Sequence, residues 1–274
     1  MRILIAADME GITGVVHGDH TTPGHAEYAR FRRLMTADVN AAIRGAFEAG
    51  ATEVVVKDGH GGGCNILIEE IDPRARLNSG SPAPLSMVQG IDPGIGAAFF
   101  VGYHARGGTP NAILGHIWSS VRVVNVWLNG QPIGEIGLNA ALCGHFGVPV
   151  IMISGDQSAC AEAATLLGKL ETAVVKQATG RMSAECLPPE VTHAMIQDAA
   201  RRALERLRSG GAPAPFRPGT PITVAVELNR SEMADAAALL PGARREGRRI
   251  EVSADDMLAA YGAFRAIVGL AGAC

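Results

Sequence analysis

The chain has 274 residues, 47% hydrophobic and only 19% charged, enough apolar material for one large core or two unequal ones. A net charge of −3 and an isoelectric point near 6.2 give no electrostatic reason to bind nucleic acid or an anionic membrane. Five scattered cysteines, Cys64, Cys143, Cys160, Cys186 and Cys274, form neither a Cys-x-x-Cys pair nor a regular framework and read as reduced thiols.

The first apolar run, residues 2–7, reads as a strand and leads into Asp8-Met9-Glu10-Gly11. Alternate residues of a strand share a face, so Asp8 and Glu10 are expected to converge at its carboxyl end, where open α/β sheets bind ligands. Only about five apolar residues precede Asp8, fewer than the ~7–15 of a signal peptide, so a cytoplasmic location is expected. His17, His20 and His25 fall in a Gly/Thr/Pro loop and read as solvated, with a mobile substrate lid as the alternative. Helical spacing runs from Ala26 to Ala49 and stops at Gly50. A strand at Thr52–Lys57 delivers Asp58-Gly59-His60, and another at Ala97–Gly102 delivers Tyr103-His104.

The β-branched run Val121–Leu128 is closed by the turn signal Asn129-Gly130. The apolar stretch Ile133–Ile153 is interrupted by Glu135, Asn139, His145 and Pro149, and reads as a helix, Gly134–Phe146, and a buried strand, Val148–Ser154. A helix near Gln157–Leu167 and a strand at Thr172–Lys176 follow. A Pro/Gly-rich segment, 208–221, then separates the helix Pro189–Arg208 from a strand at Ile222–Glu227 and a closing helix at Ala254–Leu270. This alternation predicts an α/β fold, a largely parallel central sheet flanked by helices, with a smaller α/β C-terminal lobe. The division expected is a metal-binding catalytic domain over 1–180 and the lobe over 181–274.

Carboxylates and imidazoles gathered at one sheet edge point to a metal site. Each has a plainer role: Asp8 as a cap, His60 and His104 as loop histidines, and Glu135 as a charge at a helix amino terminus. His116, after the flexible loop 106–110, is placed to reach over the edge. Asp58 either orients His60 or shapes the turn before Gly59, and Cys64 is close enough in sequence to approach. His60-Gly61-Gly62-Gly63 matches the oxyanion loop of lipases, but no Gly-x-Ser-x-Gly elbow accompanies it.

These residues, with their spacing, resemble the zinc-dependent D-aminopeptidases of the DppA type. That family's Ser-x-Asp-x-Glu-Gly is matched from Asp8 through Gly11, with Ala6 where serine is expected. The resemblance runs on through Asp58-Gly59-His60, Met87-Val88-Gln89-Gly90, Gly102-Tyr103-His104-Ala105-Arg106, Pro132 to Ala140, and Val174, Lys176 and Gln177. It implies two Zn²⁺ per subunit, with Asp8 bridging them, Glu10 and His104 completing one site, and His60 and Glu135 the other. It also implies His116 as the catalytic histidine, described in the family as a nucleophile. Short peptides with an amino-terminal D-residue, D-Ala preferred, would be the substrates. The assembly implied is a self-compartmentalising homodecamer of two stacked five-fold rings, whose channel admits only small peptides.

Charge counting supports the ligand set: two Zn²⁺ carry four positive charges, three carboxylates return three, and a bridging hydroxide cancels the last. Two metals ~3.5–4 Å apart can hold that nucleophile and polarise the scissile carbonyl. His116 is then better assigned to proton transfer or oxyanion stabilisation than to direct attack. A di-metal amidase, an L-aminopeptidase and a non-catalytic peptide- or metal-binding module are the other classes compatible with the same residues.

Overall fold

The computed structural model describes residues 1–273; Cys274 lies outside them. In chain order the elements are β1 (Arg2–Ala7), α1 (Tyr28–Glu48), β2 (Glu53–Asp58), β3 (Ala75–Asn78), β4 (Ile95–Tyr103), β5 (Val123–Leu128), β6 (Gln131–Ile133), α2 (Glu135–His145) and β7 (Val150–Asp156). They continue with α3 (Gln157–Leu167), β8 (Glu171–Gly180), β9 (Ser183–Cys186), α4 (Pro189–Arg208), β10 (Ile222–Leu228), α5 (Ser231–Ala237), β11 (Arg244–Glu246), β12 (Arg249–Ala254) and α6 (Met257–Ala271).

A seven-stranded sheet runs β3-β2-β1-β4-β7-β8-β9, parallel throughout except for the β8–β9 hairpin. Period-two alternation splits its side chains between two cores. Ile3 and Ile5 face a layer that includes Val39 and Ile43 of α1 and Ile196 and Ala200 of α4. Leu4 and Ala6 face the other way, into a core shared with α2, α6 and a second sheet.

That second sheet, β11-β12-β10-β5-β6, is antiparallel. Two of its strands come from residues 123–133, while β9 and α4 pack with the seven-stranded sheet. The run Ile133–Ile153 resolves into α2 and β7 as its polar interruptions predict. No helix among the described residues is long and apolar enough to cross a membrane.

The chain leaves β1 toward β2 on one side and returns to β4 on the other. A topological switch point therefore lies at the carboxyl ends of β1 and β4, the place where open α/β sheets leave a crevice.

Candidate metal centre and active site

β1 ends at Ala7, so Asp8 and Glu10 stand in the loop beyond it and their convergence owes nothing to the strand pleat. The loop is turned by backbone bonds to the neighbouring strand, Asp8 N–H to Val101 O and Gly11 N–H to Gly102 O, each 2.8 Å. The approach is so close that a Cβ on Gly11 would lie 2.0 Å from Tyr103 O, and one on Gly102, whose φ is +73°, 2.3 Å from Asp8 O. Only glycine fits at either position.

From within, the same loop is held by Lys176. Its fully buried ammonium donates to the carbonyls of Glu10, Ile12 and Val15 at 2.7, 2.8 and 2.5 Å, and burial pushes it down to about 8. Lys176→Met would leave three buried carbonyls without donors. A loss of about 3 kcal/mol or more is expected, read as a lower urea midpoint at unchanged m-value.

Asp8, Glu10, His60, His104, His116 and Glu135 all line one cavity of about 220 Å³, with Ser81, Ser86, Met87 and Trp118 among its other walls. Each imidazole fastens one nitrogen to a backbone carbonyl. His60 Nε2 is 3.0 Å from Thr21 O, His104 Nδ1 is 2.9 Å from Ala105 O, and His116 Nδ1 is 2.9 Å from Leu114 O. The opposite nitrogen of each ring faces the carboxylates. His60 Nδ1 lies 3.4 Å from Asp8 and 3.0 Å from Glu10, His104 Nε2 lies 3.4 Å from both Asp8 and Glu135, and His116 Nε2 lies 3.8 Å from Glu135. A ring held by one nitrogen with the other free is how histidine is prepared to bind a metal.

Ligand atoms of Asp8, Glu10 and His104 lie within 4.8 Å of one another, and those of His104, His116 and Glu135 form a second such set. Asp8 Oδ2, Glu10 Oε2 and His104 Nε2 are buried and none makes a well-formed hydrogen bond; they face one another, Glu135 and His60 Nδ1, which is 3.0 Å from Glu10. Buried polar atoms left unpaired are costly in a native protein, and a cation among them removes that cost. The first set coincides with one of the two zinc sites that the family resemblance implies. In the second, Glu135 is joined by His104 and His116, while His60 faces the Asp8–Glu10 side.

Without a cation the cluster neutralises itself with protons. Burial and the neighbouring Glu10 raise the Asp8 carboxyl to about 7. Burial alone would lower His104, but Glu135, Asp8 and Glu10 together raise it to about 10. His60 is likewise raised against its burial, by Glu10 and Asp8, and Glu10 is held well below the usual carboxylate range against its own burial by His60. His116 goes the other way: burial and the nearby His104 lower it, so it is neutral at pH 7.

A zinc ion held by His60 and His104 would have to displace their extra protons, so affinity is expected to rise with pH from 7 toward about 10 and fall as acid is added. Calorimetric titration at pH 7 in two buffers of different ionisation heat should show more than one proton released per protein.

The rest of the rim is structural. Asp58 accepts from Asn65 N–H, Asn65 Nδ2 and Ile66 N–H at 2.6, 2.8 and 2.8 Å, so it shapes the turn and leaves the His60 ring to Thr21 O. Cys64 is exposed and does not line the cavity. His17 and His25 sit at the surface around Asp19, while His20 is half-buried, stacking on Phe31 at 3.9 Å and accepting Val16 N–H at 3.2 Å, so it is packed where the solvated reading expected it free. Asp156 caps α3 and accepts Ile113 N–H at 2.7 Å, and Glu162 accepts Arg106 N–H at 2.8 Å; both steady the segment that carries His116. Glu135 opens α2, and its Oε1 accepts Trp118 N–H at 2.6 Å, so the helix-terminal and site roles coexist.

Thr21 and Leu114 act through carbonyls, which leave no mark in a sequence. Trp118, Ser81 and Ser86 line the cavity as well, and none of them belongs to a motif that marks it in the sequence.

The D-aminopeptidase family profile, peptidase family M55, matches residues 1–266. The D-aminopeptidase of Bacillus subtilis (strain 168) is 35% identical over 273 residues, 99% of this chain and 98% of its own length. Among solved structures, the Zn-dependent D-aminopeptidase DppA from Bacillus subtilis, a self-compartmentalizing protease, aligns with a TM-score of 0.96 at 34% identity. That alignment covers 100% of this chain and 99% of that one.

Proposed function

The chain belongs to the M55 family of D-aminopeptidases, metallopeptidase hydrolases, and from that premise we propose that it removes an amino-terminal D-residue, D-Ala preferred, from short peptides using two zinc ions per subunit. The observation that carries this reading is the buried cluster at the mouth of the switch point, where Asp8 Oδ2, Glu10 Oε2 and His104 Nε2 face one another, His60 and Glu135, and no well-formed hydrogen bond satisfies them. Oxygen and imidazole donors of this mix suit zinc.

Asp8 presents one oxygen toward His60 and the other toward His104, which supports it as the residue that would be shared between the two ions. Glu10, His60, His104 and Glu135 are the residues that would complete the two sites, with His60 nearest Glu10 and Glu135 nearest His104. Bound zinc supplies Lewis-acid polarisation of the scissile carbonyl and lowers the pKa of coordinated water.

The protein groups do the rest. Loop and sheet edge exclude bulk water from the buried carboxylates, and His116, neutral and aimed by Leu114 O, holds a proton-accepting Nε2 toward the reacting centre. It is assigned to taking a proton from the attacking water at Nε2 and then passing that proton to the departing amine or, while it holds it, stabilising the oxyanion. The DppA structure is that of a self-compartmentalizing protease, which supports an oligomer here, with a homodecamer as the assembly expected.

The test is a panel of D-Ala and L-Ala dipeptides with and without chelator. Turnover of the D-series, abolished by chelation and restored by zinc, is expected, with the L-series at least tenfold slower. Equal turnover of both series would favour a general di-metal aminopeptidase, and tight zinc with no turnover a binding module.

A further inference from the structure

We propose that Arg181 is a specificity-determining residue that grips the free C-terminal carboxylate of the substrate, so that the site is built for short, unblocked peptides. The assignment rests on the metal-centre reading above. A second cavity of about 300 Å³ adjoins the first and shares Glu10 and His116 with it. Thr22, Ser120, Arg181 and Met182 are among its other walls.

Arg181 stands in the turn between β8 and β9. Its carbonyl accepts Leu114 N–H at 2.9 Å, and the Leu114 carbonyl in turn is 2.9 Å from His116 Nδ1. One residue therefore fastens the guanidinium-bearing turn to the histidine at the reacting centre.

A peptide lying with its amine toward the Asp8–Glu135 cluster and its scissile bond beside His116 sends its remaining residues into this cavity. About 300 Å³ is on the order of 7 Å across, room for roughly two extended residues at ~3.3–3.6 Å each. The assignment sets the carboxyl end of such a peptide against Arg181, one of the residues lining this cavity.

The charges agree with that polarity. Glu10 is engaged at the metal cluster, and His17 faces its own partner, Asp19, at 3.4 Å. Among the described residues no carboxylate pairs with the Arg181 guanidinium. A planar guanidinium with its donors free is suited to bind a carboxylate in a two-pronged fashion, where lysine offers only a point charge.

The experiment compares D-alanyl-glycyl-glycine with its C-terminal amide on the zinc-loaded enzyme. The expected KM for the amide is about tenfold above that for the acid, with similar kcat. In Arg181→Ala the KM for the acid rises and the amide-to-acid ratio falls toward one, and Arg181→Lys recovers part of the ratio. Equal KM values for acid and amide in the unmodified enzyme, or an Arg181→Ala loss that leaves the ratio intact, would overturn the assignment. Zinc content measured on the same preparations separates the two levels: a zinc-loaded enzyme that cleaves neither peptide would overturn the functional reading, and this one with it.

Discussion

His116→Ala should keep its zinc and lose a factor of 10²–10⁴ in kcat, the usual contribution of a positioned general acid or base. The ring is held by Leu114 O on one side and stacks on His104 at 4.2 Å and 10° on the other, so its Nε2 has one direction to face. His104 keeps its own tether to Ala105 O when the neighbour is truncated, and Asp8, Glu10 and His60 are untouched. Metal content should therefore stay near that of the unmodified protein while single-turnover rates collapse. Zinc lost in the variant would make His116 a ligand, as its place beside His104 and Glu135 allows.

Asp8→Asn is expected to have the opposite signature. The amide keeps the acceptor that Met9 N–H uses at 2.9 Å but has no charge to share between two cations. Zinc content should fall to one ion or none. Turnover should fall on the order of 10³-fold or more, since a lost metal removes several kcal/mol of transition-state stabilisation at about 1.36 kcal/mol per tenfold.

The chelated variant should nonetheless melt at or above the temperature of the chelated parent. The Asp8 carboxyl is raised from 3.8 to about 7, so the folded state resists its ionisation and stability is lost as pH rises between those values. The advantage of asparagine is then full above pH 7 and gone near pH 4. Thermal melts of the chelated pair across that range check the sign, and a variant less stable at pH 8 than at pH 4, relative to parent, would contradict it. A binding cluster that destabilises its own empty scaffold is the usual exchange of stability for activity.

Much of this was legible in the chain because parallel strands buried on both faces are written as uninterrupted apolar runs. β1, β2, β4 and β7 carry that signature, and their carboxyl ends announce Asp8, His60 and His104 at once. The second sheet is not written that way. Arg244-Arg245-Glu246 and Arg249-Ile250-Glu251 pair at an exposed edge, and strands so charged look like loop. β3, with Arg76 and Asn78, hides for the same reason.

At the site the residues were readable and their geometry was not. The two acids meet because Gly11 lets a loop press against β4, and His60 is aimed by a carbonyl thirty-nine positions away. Neither is a property of residue spacing.

The candidate ligands come from four segments spaced roughly 30 to 50 residues apart in the first half of the chain, at 8–10, 60, 104 and 135. Any ion they grip acts as a removable staple across those segments, in a protein whose four described cysteines are all unbridged. Resistance to heat and to proteases should consequently track free zinc concentration, so that metal supply sets the lifetime of the enzyme along with its rate.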